Sequence, residues 1–230
     1  QIVYYFYAAF KVGKQNISFS VPTGNFGDIY AGYMAKKMGL SIDKLIIATN
    51  ENNILQRVIS SGEYKPSKVK PSLSPSMDIQ VSSNFERLLF DILGEDDKKV
   101  SSLMEGLKKN GFFKLDQKSV QIIKKDFCAE KINDEETVTI IKNLNIESKF
   151  ISDPHTATAF GATKKTNKIS ETIILGTAHP YKFLETVKKA TGIEIKAPSH
   201  LSNMIDKEER FDIVDNNISK IKNYILEKTI

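Results

Sequence analysis

Four consecutive pieces near the start of the chain constrain its fold most. Residues 17–21 (ISFSV) form a short β-like run and residues 22–27 (PTGNFG) a turn-rich segment. A helical stretch over 28–38 is stopped by Gly39, and 44–49 (KLIIAT) reads as a second buried strand. Strand, glycine-containing loop, helix and strand make a βαβ unit, whose two strands must run parallel. The expected class is therefore α/β: part of an open, mostly parallel twisted sheet flanked by helices.

The flanking pattern extends this frame. Ile2, Phe6, Ala9 and Phe10 have helical spacing, with Gly13 as a stop. The texture changes near Pro71 and Pro75. Ser83-Asn84-Phe85-Glu86 has the form of a capping box, and Phe85, Leu88, Leu89 and Ile92 follow at i, i+3, i+4, i+7. Val100, Leu103, Met104 and Leu107 repeat that spacing, and Asn133 to Glu136 looks like another helix start. Three regions are expected: residues 1–70 and 150–230 as parts of one sheet core, and 71–149 as a mainly helical insertion. Strand signals return at 149–151, ahead of Ser152-Asp153-Pro154-His155, and at 172–175, ahead of Gly176-Thr177-Ala178-His179-Pro180. Pro180 suits the first position of a helix, with Phe183, Leu184 and Val187 facing inward. Val214, Ile218, Ile221 and Ile225 lie on one helical stripe at the end.

At 230 residues and 40% hydrophobic content, the chain is long and apolar enough to bury a sizeable core. Cys128 is the only cysteine, so no internal disulfide forms and a reducing, cytoplasmic setting is expected. No apolar run reaches the roughly 20 residues that span a bilayer, so no membrane partner is expected. The chain opens on Gln rather than Met and is expected to be a trimmed piece of something longer. The net charge of +5 is spread mostly over lysines; the arginines, Arg57, Arg87 and Arg210, are scattered. Without a dense cluster, a solvated surface is expected rather than a nucleic-acid partner.

The segment Thr23-Gly24-Asn25-Phe26-Gly27-Asp28 has the chemistry of an anion cup. A helix start offers unpaired N–H groups and the positive end of the helix dipole. Two glycines let backbone approach an anion, and Thr23 and Asn25 add side-chain donors. It is neither a Walker loop nor a dinucleotide fingerprint, and an ordinary tight strand-to-helix turn remains the alternative. Asp28 is expected to cap the helix with its carboxylate turned aside. Asp153-Pro154-His155-Thr156 and Thr177-Ala178-His179-Pro180 both follow β-like runs, which puts them where open α/β sheets bind ligands. Each histidine could equally cap a helix or satisfy a loop carbonyl. His155, His179 and His200 show no metal-ligand spacing, so no metal site is expected.

In combination these stretches resemble the threonine synthase family, of the longer bacterial and fungal type. The resemblance is carried, in the family's order, by QIVYYFYAAF at 1–10, VPTGNFGDIYAGYMAKKMGL at 21–40, SPSMDIQVSSNFERLLFD at 74–91, DPHTATAFGA at 153–162 and GTAHPYKF at 176–183. It implies a fold type II enzyme that uses pyridoxal 5'-phosphate as an electron sink to convert O-phospho-L-homoserine and water to L-threonine and phosphate. It implies that Gly24, Asn25, Phe26, Gly27 and Asp28, with Thr23, hold the cofactor phosphate and that the Thr177 hydroxyl meets the pyridine nitrogen. Ser83, Asn84, Arg87 and His155 are the candidates for substrate contact. The family's Schiff-base lysine lies upstream of the QIVYYFY helix, and Lys36, Lys37 and Lys182 belong to motifs that do not supply it. No catalytic residue is therefore assigned, and the isolated chain is expected to be inactive. It is also expected to self-associate through exposed sheet edges. The rivals are a related dehydratase or sulfhydrylase, a basic module binding phosphate or nucleic acid, and a catalytically dead relative.

Overall fold

A computed structural model of the chain describes residues 1–166, 171–199 and 207–229. They form two compact units, residues 1–195 and 196–230.

The strands of the first unit are β1 (Ile17–Pro22), β2 (Ile42–Thr49), β3 (Glu63–Tyr64), β4 (Phe113–Lys114), β5 (Phe127–Lys131) and β6 (Thr172–Ile174). Four of them form a parallel sheet in the order β5-β2-β1-β6, and β3 pairs antiparallel with β4 apart from it. Register runs Phe19 to Leu45, Ser20 to Ile46 and Ile174, and Ile47 to Ala129. Successive side chains point to opposite faces, as strand geometry dictates. Ile17, Phe19, Val21, Leu45 and Ile47 enter the main core, while Ile46 and Ala48 face Ala159 and Ala162 in another cluster.

Helix α1 (Ile2–Val12) ends on Gly13 at φ 68, and α2 (Gly27–Lys37) crosses between β1 and β2. The two helices touch closely at Gly32, where an added Cβ would fall 2.4 Å from the Tyr5 ring. Next come α3 (Ile54–Ser61), α4 (Phe85–Ile92), α5 (Asp97–Asn110), α6 (Gln117–Asp126) and α7 (Asp134–Ser148). Helix α8 (Pro154–Lys165) covers the other face of the sheet, and Ser20 Oγ donates to its Ala159 carbonyl at 2.8 Å. A 3₁₀ turn (Pro180–Phe183) leads into α9 (Leu184–Thr191).

Several expectations change on folding. The capping box expected at Ser83–Glu86 is not formed: Asn84 is the N-cap of α4 and makes no side-chain cap bond. A capping box does form at Asn133 and Glu136. Residues 149–151 are not a strand; Lys149 closes α7 at φ 59 and Asp153 already caps α8. Within residues 71–149, expected to be mainly helical, β5 forms an edge strand of the main sheet. Only Val187 of the expected inner face of α9 is buried; Leu184 is 42% exposed.

In the second unit, helix α10 (Ile218–Thr229) carries Ile218, Ile221 and Ile225, and Val214 precedes it. Asp212 accepts a hydrogen bond from the Tyr224 hydroxyl and pairs with Lys228 at 3.2 Å. His200 lies outside the described residues. No helix among the described residues is long and apolar enough to cross a membrane.

Candidate functional site

A cleft of about 370 Å³ opens beyond the carboxyl ends of the parallel strands, where sheets of this kind bind ligands. Gln1 and four further segments distant in sequence meet there. The β1–α2 loop contributes Thr23 to Asp28, the segment before α4 contributes Ser76, Met77 and Asn84, α8 contributes His155, and the loop after β6 contributes Thr177, Ala178 and Lys182.

The β1–α2 loop is shaped by its own sequence. Phe26 is the N-cap of α2 at φ 67, unusual for a residue with a side chain. Its ring is 1% exposed and packs edge-on against Phe85 at 5.3 Å and against Phe127 at 5.7 Å. Phe26 thus anchors the loop in the core and turns its backbone outward. As at any helix start, the first amides of α2 have no carbonyl of their own helix to bind. The glycines answer to the protein's own packing. A Cβ at Gly24 would lie 3.0 Å from Met77 Cα, and one at Gly27 3.3 Å from Asn84 Nδ2.

Side-chain donors are distributed unevenly. The Thr23 hydroxyl donates to the Val21 carbonyl at 2.6 Å, so its proton is directed into the fold. Asn25 Oδ1 accepts from both the Ser83 N–H (2.7 Å) and the Ser83 hydroxyl (2.8 Å). This fixes the carboxamide: Oδ1 faces Ser83, and Nδ2 is the side left for the cleft. Asn84 Nδ2 donates to the Asn25 carbonyl at 2.9 Å. Asp28 sits in the first turn of α2 without capping it; its carboxylate and carbonyl instead accept from the Tyr5 hydroxyl at 3.2 and 2.8 Å. Burial raises the Asp28 carboxyl above its ordinary value, against the hydrogen bond from Tyr5.

His155 is 3% exposed and joins three walls of the cleft. Its Nε2 accepts from the Ser76 N–H at 3.3 Å, its Nδ1 lies 3.3 Å from Asp153 Oδ1, and its ring packs on Phe183 at 4.8 Å. An accepting Nε2 assigns the ring proton to Nδ1, facing the Asp153 carboxylate. Asp153 caps α8 by accepting from the N–H groups of His155 (2.8 Å) and Thr156 (3.2 Å). Burial opposes ionisation of Asp153, but hydrogen bonds from His155 and Thr156 outweigh it and hold the carboxyl below its ordinary value.

The other candidates fall outside the lining. Ser83 reaches the site through Asn25, and exposed Arg87 lies over the Tyr30 ring at 5.9 Å. His179 Nδ1 accepts from the Tyr181 N–H at 3.1 Å, the local capping role weighed for it. Gln1, Ser76, Met77 and Lys182 line the cleft without having been singled out as binding residues. The SPSMD segment was visible in the sequence, but nothing local indicated that it folds over Gly24. No cluster of metal-ligating side chains occurs among the described residues.

The comparisons with known proteins agree with one another. Residues 156–225 match the family model described as threonine synthase, C-terminal. The threonine synthase of Pseudomonas aeruginosa is 43% identical over 98% of this chain and 49% of its own length. That of Saccharomyces cerevisiae is 46% identical over 83% of this chain and 41% of its own. Among solved structures, the pyridoxal-phosphate-bound threonine synthase of Brucella melitensis superposes with a TM-score of 0.92 at 42% identity, covering 98% of this chain and 49% of that one. The yeast enzyme gives 0.88 at 40% identity, covering 99% and 51%. The chain thus spans about half the length of the relatives it matches. Along nearly all of its residues, with the fold retained, it belongs to the threonine synthase family as a C-terminal region of it.

Proposed function

We propose that the chain supplies the cofactor-phosphate cradle and part of the substrate wall of a threonine synthase, acting on O-phospho-L-homoserine and water to give L-threonine and phosphate. The observation that carries this reading is the convergence of the β1–α2 loop, His155 and Thr177 on one cleft beyond the strand ends. The residues present suit pyridoxal 5'-phosphate. The loop offers helix-start amides and the Asn25 carboxamide to an anion, with no arginine among its lining residues.

When bound, that group would supply an electron sink for proton removal next to the substrate amine. The protein's own contributions are positional. Amides of residues 24–27 and Asn25 Nδ2 hold the phosphate; the Thr177 hydroxyl is assigned to the pyridine nitrogen. Asn84 and His155 are assigned to the substrate. With its proton on Nδ1, His155 uses its accepting Nε2 on the Ser76 N–H and so holds that wall of the cleft in place. Lys182 adds a positive charge at the cleft, which favours two phosphates meeting there. None of the chain's lysines is assigned the cofactor aldehyde.

The test is direct. Titrating pyridoxal 5'-phosphate into the purified chain should shift the ³¹P resonance of the ligand, and Asn25→Ala should weaken that binding about tenfold. Phosphate release from phosphohomoserine by the chain alone should stay at background. Unaltered binding by the variant would remove the loop from the site, and rapid turnover by the chain alone would overturn the assignment of the lysines.

A further inference from the structure

The segment over residues 70–84 crosses the carboxyl end of the sheet with one 3₁₀ turn, Pro75–Met77, as its only helical element. Side chains hold the rest, and they converge on Asp78. Its Oδ1 accepts from Asn50 Nδ2 (2.8 Å), Asn52 Nδ2 (2.9 Å) and Ser72 Oγ (2.6 Å), and its Oδ2 from the Ser72 N–H (3.0 Å). All four partners are donors, which suits a carboxylate that only accepts. Asn50 and Asn52 follow β2 directly and are 1% and 3% exposed. Asn52 Oδ1 in turn accepts from the Lys70 N–H at 2.9 Å and from Gln80 Nε2 at 3.3 Å. The Asp78 carboxylate and Asn52 together tie residues 70–72 and 78–80 to the end of a central strand.

Asp78 stands behind the cleft wall, whereas its neighbours Ser76 and Met77 line it. The wall touches the anion loop at backbone level, since a Cβ on Gly24 would meet Met77 Cα at 3.0 Å and the Ser76 carbonyl oxygen at 3.2 Å. Farther along, Ser83 and Asn84 bind both oxygens of Asn25. A displacement of Asp78 would therefore move both supports of the loop.

We propose that Asp78 is a positioning residue for the anion site: by gathering Asn50, Asn52 and Ser72 it sets residues 76–84 against the loop at 24–27 and keeps the loop's amides in binding geometry. This rests on reading that loop as a phosphate cradle. Asp78 touches no ligand and acts through Met77, Ser83 and Asn84. A purely stabilising role would lower the urea midpoint while leaving the affinity of the folded protein untouched. A positioning role changes that affinity.

Asp78→Asn keeps the shape but turns an N–H₂ group toward partners that are themselves donors. In the folded chain it should weaken pyridoxal 5'-phosphate binding about tenfold or more. Amides at residues 23–28 and 83–84 should exchange faster with D₂O, while those of β1 and β2 keep wild-type rates. Ser72→Ala removes the 2.6 Å hydroxyl bond to Asp78 together with the bonds that hydroxyl accepts from Asn50 Nδ2 and the Ser74 N–H, keeps the Ser72 N–H bond to Asp78, and should weaken binding about threefold; it carries the test if Asp78→Asn does not fold. Folded variants that bind as tightly as wild type and keep wild-type exchange at 23–28 would overturn the proposal. If the wild-type chain itself takes up no pyridoxal 5'-phosphate, the cradle reading fails, and the exchange comparison alone then decides whether Asp78 positions the loop.

Discussion

Gly32 of α2 lies flat against the ring of Tyr5 in α1, close enough that any side chain at 32 would sit within 2.7 Å of two ring carbons. The absence of a Cβ lets the Tyr5 ring pass beneath α2, and the Tyr5 hydroxyl then reaches Asp28 near the mouth of the site. Gly32→Ala gains helix propensity but overpacks this contact and the Leu45 methyl 2.9 Å away. The expected net cost is about 1–3 kcal/mol by urea unfolding. Adding Tyr5→Leu should return part of that loss. A double variant no more stable than the sum of the singles would mean the two residues do not share the space.

Asp28 sets a pH dependence. Its carboxyl is raised by burial, so the folded chain holds the proton more tightly than the unfolded chain does. Stability from this group is complete below the ordinary carboxyl value of 3.8 and declines as pH rises through the higher folded value. Asp28→Asn keeps the Tyr5 hydroxyl bond without the charge. It should melt higher than wild type near pH 7 and match it at about pH 3; the same Tm difference at both would remove burial of the charge as the cause.

Asp153 behaves in the opposite sense. Its lowered carboxyl contributes stability above the ordinary value of 3.8, and that contribution is lost as pH falls through the lower folded value. Asp153→Ala removes the cap of α8 and should cost about 1–2 kcal/mol at neutral pH. The curves for wild type and variant should converge in strong acid. Parallel curves down to about pH 2 would show that the charge of Asp153 contributes nothing.

Gly24→Ala places a methyl against Met77 Cα, Ile79 Cδ1 and the Ser76 carbonyl oxygen, at 3.0, 3.1 and 3.2 Å. Because the φ of Gly24 is not left-handed, the effect is one of space alone. Pyridoxal 5'-phosphate affinity should fall by about 1–3 kcal/mol, about five- to 150-fold. A calorimetric Kd equal to wild type would show that the wall yields without moving the loop.

What the sequence announced was mostly local. The βαβ unit, the Gly13 stop, the helix start at Asn133 and the strand before Gly176 each depend on near neighbours. The capping-box pattern at Ser83–Glu86 misled because the Ser83 hydroxyl has a stronger claim on it from Asn25, 58 positions earlier. Strand β5 was missed because FCAEK alternates poorly: only Phe127 of its residues is fully buried, and pairing with β2 decides its state. In the site, the loop proposed to hold an anion could be picked out because its six residues, Thr23 to Asp28, are consecutive. The Asp78 network was invisible because its bonds to Asn50 and Asn52 join partners 28 and 26 residues apart. The wall that packs on Gly24 and Gly27 was not legible, because Met77 and Asn84 lie more than fifty residues away in sequence.

The return of the chain to the sheet at β5 has an evolutionary consequence. Helices α4 to α6 lead directly into β5, so they are joined at their far end to a strand at the rim of the sheet. Excising residues 71–149 as one piece would take β5 with them, strip β2 of a hydrogen-bonded neighbour and delete Phe127, which packs on Phe26. A shorter descendant must therefore supply a substitute rim strand in the same event. Length variation meets less resistance at the Gly94–Glu95 corner, where both residues are left-handed and a Cβ on Gly94 would meet nothing.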